Sequence, residues 1–131
     1  MKQKTVLILR LISAGILLQT LFFKFTGAPE SIYIFTQLHA EPFGRYFAGF
    51  SELIASILLL IPATQVFGAL MAVGIMVGAL ASHVLILGIV VQDDGGLLFT
   101  LALVVLISSG LVVLLKKDEI LKLPIIRKIL G

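Results

Sequence analysis

Four runs of apolar residues, Thr5–Phe25, Gly44–Ile61, Val66–Val91 and Gly95–Leu115, take up most of this chain. A bilayer hydrocarbon core of about 30 Å is crossed by about 20 helical residues, so each run is long enough to cross once. The runs do not alternate apolar with polar residues, which excludes barrel strands. Between them lie only short connections, too short for a separate soluble module. With 60% of its 131 residues apolar and 13% charged, the chain has too little polar surface for a water-soluble fold. The mean hydropathy of +1.18 says the same. The expected fold is therefore an all-α membrane protein: a four-transmembrane-helix bundle with a short interfacial helix in the first loop and an amphipathic C-terminal tail, residues 1–131 forming one domain.

The opening "MKQKTVLILRLISAG" has the basic and apolar parts of a signal peptide, but Arg10 interrupts the apolar part and no A-x-A-like cleavage site follows. It reads as a retained first helix. The chain has no cysteine, which excludes thiolate catalysis, disulfide exchange and cysteine-ligated metal within it. A pI near 9.5 does not argue for nucleic acid, because the basic residues sit mostly at the two ends.

That distribution predicts the orientation. Lys2, Lys4, Lys116, Lys117, Lys122, Arg127 and Lys128 flank the first and last helices, whereas Glu30, Glu41, Asp93 and Asp94 lie in the first and third loops. The positive-inside rule then puts both termini in the cytoplasm, for a multi-pass protein of the cytoplasmic membrane. Lys24 and Arg45 on the outer side run against this but are outnumbered.

Depth follows from the rise of about 1.5 Å per residue. Gln19 comes about 9 Å below the outer end of helix one, and Glu52 and His83 about 12 Å below the outer ends of helices two and three. The three share a level, with Lys24 above them on a stem able to bend inward and Asp93 and Asp94 in the loop overhead. A charge within a membrane helix is costly, so Glu52 is expected to face the bundle interior. Helical periodicity marks two polar stripes: Arg45, Gly49, Glu52 and Ser56 on one helix, and Arg10, Ser13, Leu17, Thr20 and Lys24 on another. The expected cluster is thus Lys24, Glu52, His83 and Gln19, with Arg45, Asp93 and Asp94 as secondary candidates and no metal site.

Each residue also has a plainer reading. Asp93 or Asp94 can cap helix four beside the turn at Gly95 and Gly96, and Arg10 can snorkel to cytoplasmic headgroups. A single buried imidazole can be satisfied by a backbone carbonyl, and Lys24 can anchor at the interface. Gly74, Gly78 and Ser82 form a small-xxx-small pattern for close contact within the bundle or a homodimer seam. The first loop is too apolar to be merely solvated, and Pro29 and Glu30 are expected to begin an interfacial helix over the bundle mouth, ending near Glu41-Pro42. Tyr33 and Tyr46 fit an aromatic belt there. The tail, 116–131, is expected to lie on anionic lipid, broken at Pro124.

These residues carry a resemblance. Arg10, Gly15 and Lys24 in "RLISAGILLQTLFFKF", Gly49 and Glu52 in "GFSELIASILLLIP", and the stretch from His83 to "DDGG" resemble the DoxX-like family of small four-helix membrane proteins. Leu21 departs from it, since the family often has glycine three residues before the lysine. The family takes its name from a subunit of a thiosulfate:quinone oxidoreductase, and other members resemble accessory subunits of redox or oxidative-stress assemblies. The resemblance implies a membrane partner in a redox system and assigns no catalytic residue.

The resemblance and the residues together leave three functions open. A redox component would hold a quinone in an apolar slot with a few hydrogen-bonding groups. It would need a protein partner or the quinone itself to move electrons, since the chain has no haem, thiolate or dinucleotide motif. A small binding or transport protein would use the same cluster for a lipid, a hydrophobic ligand or an ion. A structural partner would use it only to join helices, although intramembrane hydrogen bonds average only about 0.6 kcal/mol, little return for burying a carboxylate.

Overall fold

The computed structural model describes residues 2–91 and 95–118. The first helix, α1 (Lys2–Thr26), leads through Gly27 into a short helix, α2 (Pro29–Gln37), with proline in its first turn, where a missing N–H costs nothing. A turn containing a cis Glu41-Pro42 bond leads into α3 (Phe43–Leu60). This helix stops where Ile61, forced toward extended backbone by the proline after it, leaves the helical region. One 3₁₀ turn, Pro62–Thr64, connects to α4 (Gln65–Ser82). From His83 to Leu87 the chain winds as a π-turn, and Gly88 ends it at φ +79 with its N–H returned to the His83 carbonyl. After Gly95 and Gly96, both at positive φ, comes the last long helix, α5 (Leu97–Leu115).

The largest differences from the expected boundaries are two. The third long helix ends at Leu87 rather than Val91, because glycine offers the left-handed exit that bulkier residues do not. The interfacial helix ends at Gln37, short of Glu41-Pro42, where Leu38 returns its N–H to Ile34 and His39 takes φ 57. Asp93 and Asp94, with their capping role, lie outside the described residues, as does the tail from residue 119 onward.

Four helices cross the thickness of the structure. α3 and α5, at 18 and 19 residues, rise about 27 and 28 Å, close to the hydrocarbon thickness. α1 packs between α3 and α5, and α4 packs between the same two from the opposite corner, so α1 and α4 face each other across the bundle. The core of Leu17, Ala55, Leu59, Ala69, Ala72 and Val105 is small-sided, as helix contact without water to drive it requires. α4 comes close to α3 at Gly68, where an added Cβ would stand 2.5 Å from the Leu59 nitrogen. Gly74 and Gly78, the expected close-packing pair, are exposed and would meet nothing within 4 Å. They do not serve contact within the bundle.

The outside is apolar and the inside holds the polar residues. Phe43 is 83% exposed and Phe47 74%, whereas Arg10, Ser13, Arg45, Glu52, Ser56, His83 and Ser109 are buried. That inversion suits a lipid environment, where exposed hydrocarbon costs nothing and polar groups must find partners inside.

Candidate functional site

Helix pitch puts Thr20 and Lys24 one turn apart on the inner face of α1, and α3 brings Glu52 against them. Lys24 Nζ lies 2.9 Å from Glu52 Oε1 and 3.2 Å from Oε2. The Thr20 hydroxyl stands 3.1 Å from Oε2 and 3.0 Å from the Leu17 carbonyl, so its single proton has two acceptors to choose from. Ser56 Oγ donates to the Glu52 carbonyl oxygen at 2.7 Å, a bond within the helix that leaves the carboxylate to α1. The Glu52 side chain is 4% exposed and that of Lys24 16%, so the carboxylate is sealed and the ammonium reaches an opening.

Close helix approach makes this pairing possible. Gly49, one turn from Glu52, lies under the Phe25 ring, and an added Cβ would stand 2.8 Å from it. Arg45 secures the same corner. Its Nη1 donates to the Lys24 carbonyl at the unsatisfied end of α1, and its Nε is held by both Glu41 oxygens at 2.9 and 3.0 Å. The guanidinium also lies 4.5 Å above the Tyr46 ring.

The opposite end of the bundle repeats the device with the helices exchanged. Arg10 does not reach for headgroups: it is 7% exposed and its Nε donates to the Leu59 carbonyl at 2.6 Å, near the C-terminus of α3. Snorkelling loses here because the last turn of α3 presents carbonyls that need donors. Thr64 meets the neighbouring Leu58 carbonyl at 2.9 Å, and Ser109 donates to Ser13 at 3.1 Å.

Beside the lysine–glutamate pair opens a cavity of about 380 Å³, lined by all five helices. Its walls are mainly apolar, with Ile16, Phe23, Met76, Leu98, Leu101 and Val105 prominent. Thr20, Lys24, Glu52, Ser82 and His83 are its polar groups from the long helices. α2 and the Leu38 that follows it cover one side with Glu30, Ser31, Ile34, Phe35 and Leu38.

His83 closes the wall opposite Lys24. It is 5% exposed, its ring meets Phe99 edge-on with centroids 5.6 Å apart, and Nδ1 lies 3.0 Å from the Gly88 carbonyl. A carbonyl only accepts, so Nδ1 carries a proton, and in that tautomer Nε2 is an acceptor. The π-turn sets this geometry by bringing Gly88 back over the imidazole. Such turns occur often at functional sites.

Of the four residues expected to cluster, Lys24, Glu52 and His83 line one cavity and Gln19 does not. Gln19 is exposed, and Thr20 occupies the place assigned to it. Equal depth was a poor guide there, since adjacent residues differ by about 100° around a helix. The stripe containing Thr20 and Lys24 was the better signal. Arg45 lies behind the site rather than in it, acting through the α1 backbone. Glu30 and Ser31 were missed as lining residues, although with Ile34, Phe35 and Leu38 they recur at fourfold spacing and mark one face of α2. Among the described residues no group of three His, Asp or Glu could hold a metal.

A bundle that is apolar outside and holds a buried ion pair beside a cavity defines a multi-pass membrane protein with a chamber in its bundle. The family model DoxX matches residues 5–87, more than half of the chain, and the chain belongs to that family. The match takes in Arg10, Lys24, Arg45, Glu52 and His83 and ends with the π-turn, leaving α5 beyond it. Neither the curated proteins nor the solved structures include a match to this chain.

Proposed function

We propose that this protein holds a lipid-soluble molecule in the cavity as an accessory component of a membrane redox or oxidative-stress system, with a quinone of the bilayer as the candidate ligand. The observation carrying this reading is a cavity of about 380 Å³ with a mainly apolar wall that also holds Lys24, Glu52, Thr20 and His83. Ligand sites are commonly about 300–1,000 Å³, apolar, and supplied with a few fixed polar groups. This one takes a ring-sized head and part of a tail. A pair that only joined α1 to α3 would not need an adjoining chamber reached by a residue from α4. The redox setting comes from membership of DoxX, and electrons would pass through a partner protein or the ligand itself. In the orientation given by the charge distribution, the termini are cytoplasmic and the cavity lies in the outer half of the cytoplasmic membrane.

The test is to extract the protein from its native membrane in polymer-bounded discs and measure quinone per protein against the bulk lipid. Enrichment in the wild type and its loss in Ala79→Phe or Ala102→Phe, which fill the cavity, are expected. Quinone at no more than the bulk ratio in the wild type would end the proposal.

A further inference from the structure

We infer that the cavity selects a neutral lipophile carrying both a hydrogen-bond acceptor and a hydroxyl, and rejects carboxylates and ammonium ions of the same chain length. This rests on the cavity being a ligand site and names what that site recognises.

The first part of the argument is charge. Among the described residues the charged groups lining the cavity are Lys24, Glu52 and Glu30. Lys24 and Glu52 are matched at 2.9 Å, so their charges cancel in the cavity wall, and Glu30 is exposed on the α2 cover. An incoming anion would find the only ammonium already taken and two carboxylates nearby. An incoming cation would have to displace Lys24 from Glu52. Either leaves one unmatched charge inside a membrane bundle, which the neutral ligand avoids.

The second part is hydrogen bonding. An ammonium has three N–H donors, and the carboxylate oxygens at 2.9 and 3.2 Å take two. One donor remains on a residue that lines the cavity. On the facing corner, His83 has its Nδ1 proton engaged by Gly88, and Nε2 is left as an acceptor. Ser82 spends its proton on the Gly78 carbonyl at 2.9 Å and offers only lone pairs. The α1 wall therefore donates and the α4 wall accepts. A ligand oxygen that accepts suits the first, and a ligand O–H suits the second; the reduced form of a quinone carries both. A two-tailed phospholipid is too large for the volume and carries a charged head.

The experiment measures retention of three radiolabelled probes by the protein in nanodiscs, blanked against empty nanodiscs: a hydroxymethyl ketone, a carboxylate and an ammonium, each on a twelve-carbon chain. The wild type is expected to prefer the ketone at least tenfold over both ions. Glu52→Gln frees the Lys24 charge and is expected to raise carboxylate retention at least tenfold, and Lys24→Met to do the same for the ammonium. These are gains, which misfolding cannot produce. His83→Phe is expected to weaken the hydroxymethyl ketone while leaving the matching methyl ketone, which lacks the hydroxyl, unchanged. Equal retention of carboxylate and ketone by the wild type, or no gain in either charge variant, overturns the inference while the cavity remains a ligand site. Retention of no probe above the blank also overturns the inference, whereas the cavity reading falls only if quinone is not enriched.

Discussion

Removing either member of the Lys24–Glu52 pair should not cost the same, and the asymmetry can be worked from exposure. Lys24→Met leaves a carboxylate whose side chain is 4% exposed, on a stem too short to reach water. A lone charge at the centre of a membrane helix costs about 2.5–3.5 kcal/mol, so the expected loss is about 3 kcal/mol. Glu52→Gln leaves the ammonium on a flexible stem, 16% exposed, which can turn to the interface. Its loss should be nearer 1 kcal/mol, the scale of one or two intramembrane hydrogen bonds. With both replaced no charge is stranded, and the double variant should also lose about 1 kcal/mol. Single losses then sum to about 4 kcal/mol against about 1 for the double, a coupling of about 3. The assay is reversible unfolding in mixed micelles of rising dodecyl sulfate fraction, followed by far-UV circular dichroism. Equal losses for the two single variants, with an additive double, would refute the reasoning and place the pair in water.

Other sites test the packing. Gly68→Ala sets a Cβ against the α3 backbone, which cannot swing aside, and should cost the upper part of the about 1–3 kcal/mol typical of overpacking. Gly49→Ala meets only the Phe25 ring, so its smaller loss should be recovered by Phe25→Leu in the same unfolding assay. Arg10→Met removes the donor to the buried Leu59 carbonyl and should cost about 1–3 kcal/mol, unchanged by added salt because the bond is internal. Ser109→Ala should cost about 0.6 kcal/mol, the mean for such bonds in membranes, with Ser13→Ala adding little once its partner is gone.

The number and type of long helices were legible because hydropathy acts along the chain and needs no partner. The polar stripes were legible for a related reason: Arg10, Ser13, Thr20 and Lys24 recur with the helical period, and an apolar helix has no cause to carry such a row unless it faces inward. Glu52 could be assigned to the interior on cost alone. What it meets there was less accessible, and the choice of Gln19 over Thr20 shows why: a level across three helices is fixed by rise, but a contact also needs rotation about each axis. Arg10 was misread because its acceptor belongs to a turn 49 residues away.

By itself, then, the sequence determined a membrane bundle of four long helices, a covering helix begun by Pro29, and an inward carboxylate, all consequences of local composition and a period of 3.6. The tertiary structure decided that Thr20 and Lys24 serve Glu52, that Arg10 and Arg45 each tie off the end of the antiparallel helix, and that His83 faces a chamber from a π-turn. Those depend on how closely helices approach and how each is turned. Here both are set by contacts between distant residues, Gly49 under Phe25 and Gly68 on Leu59, whose fit exists only once the helices are side by side.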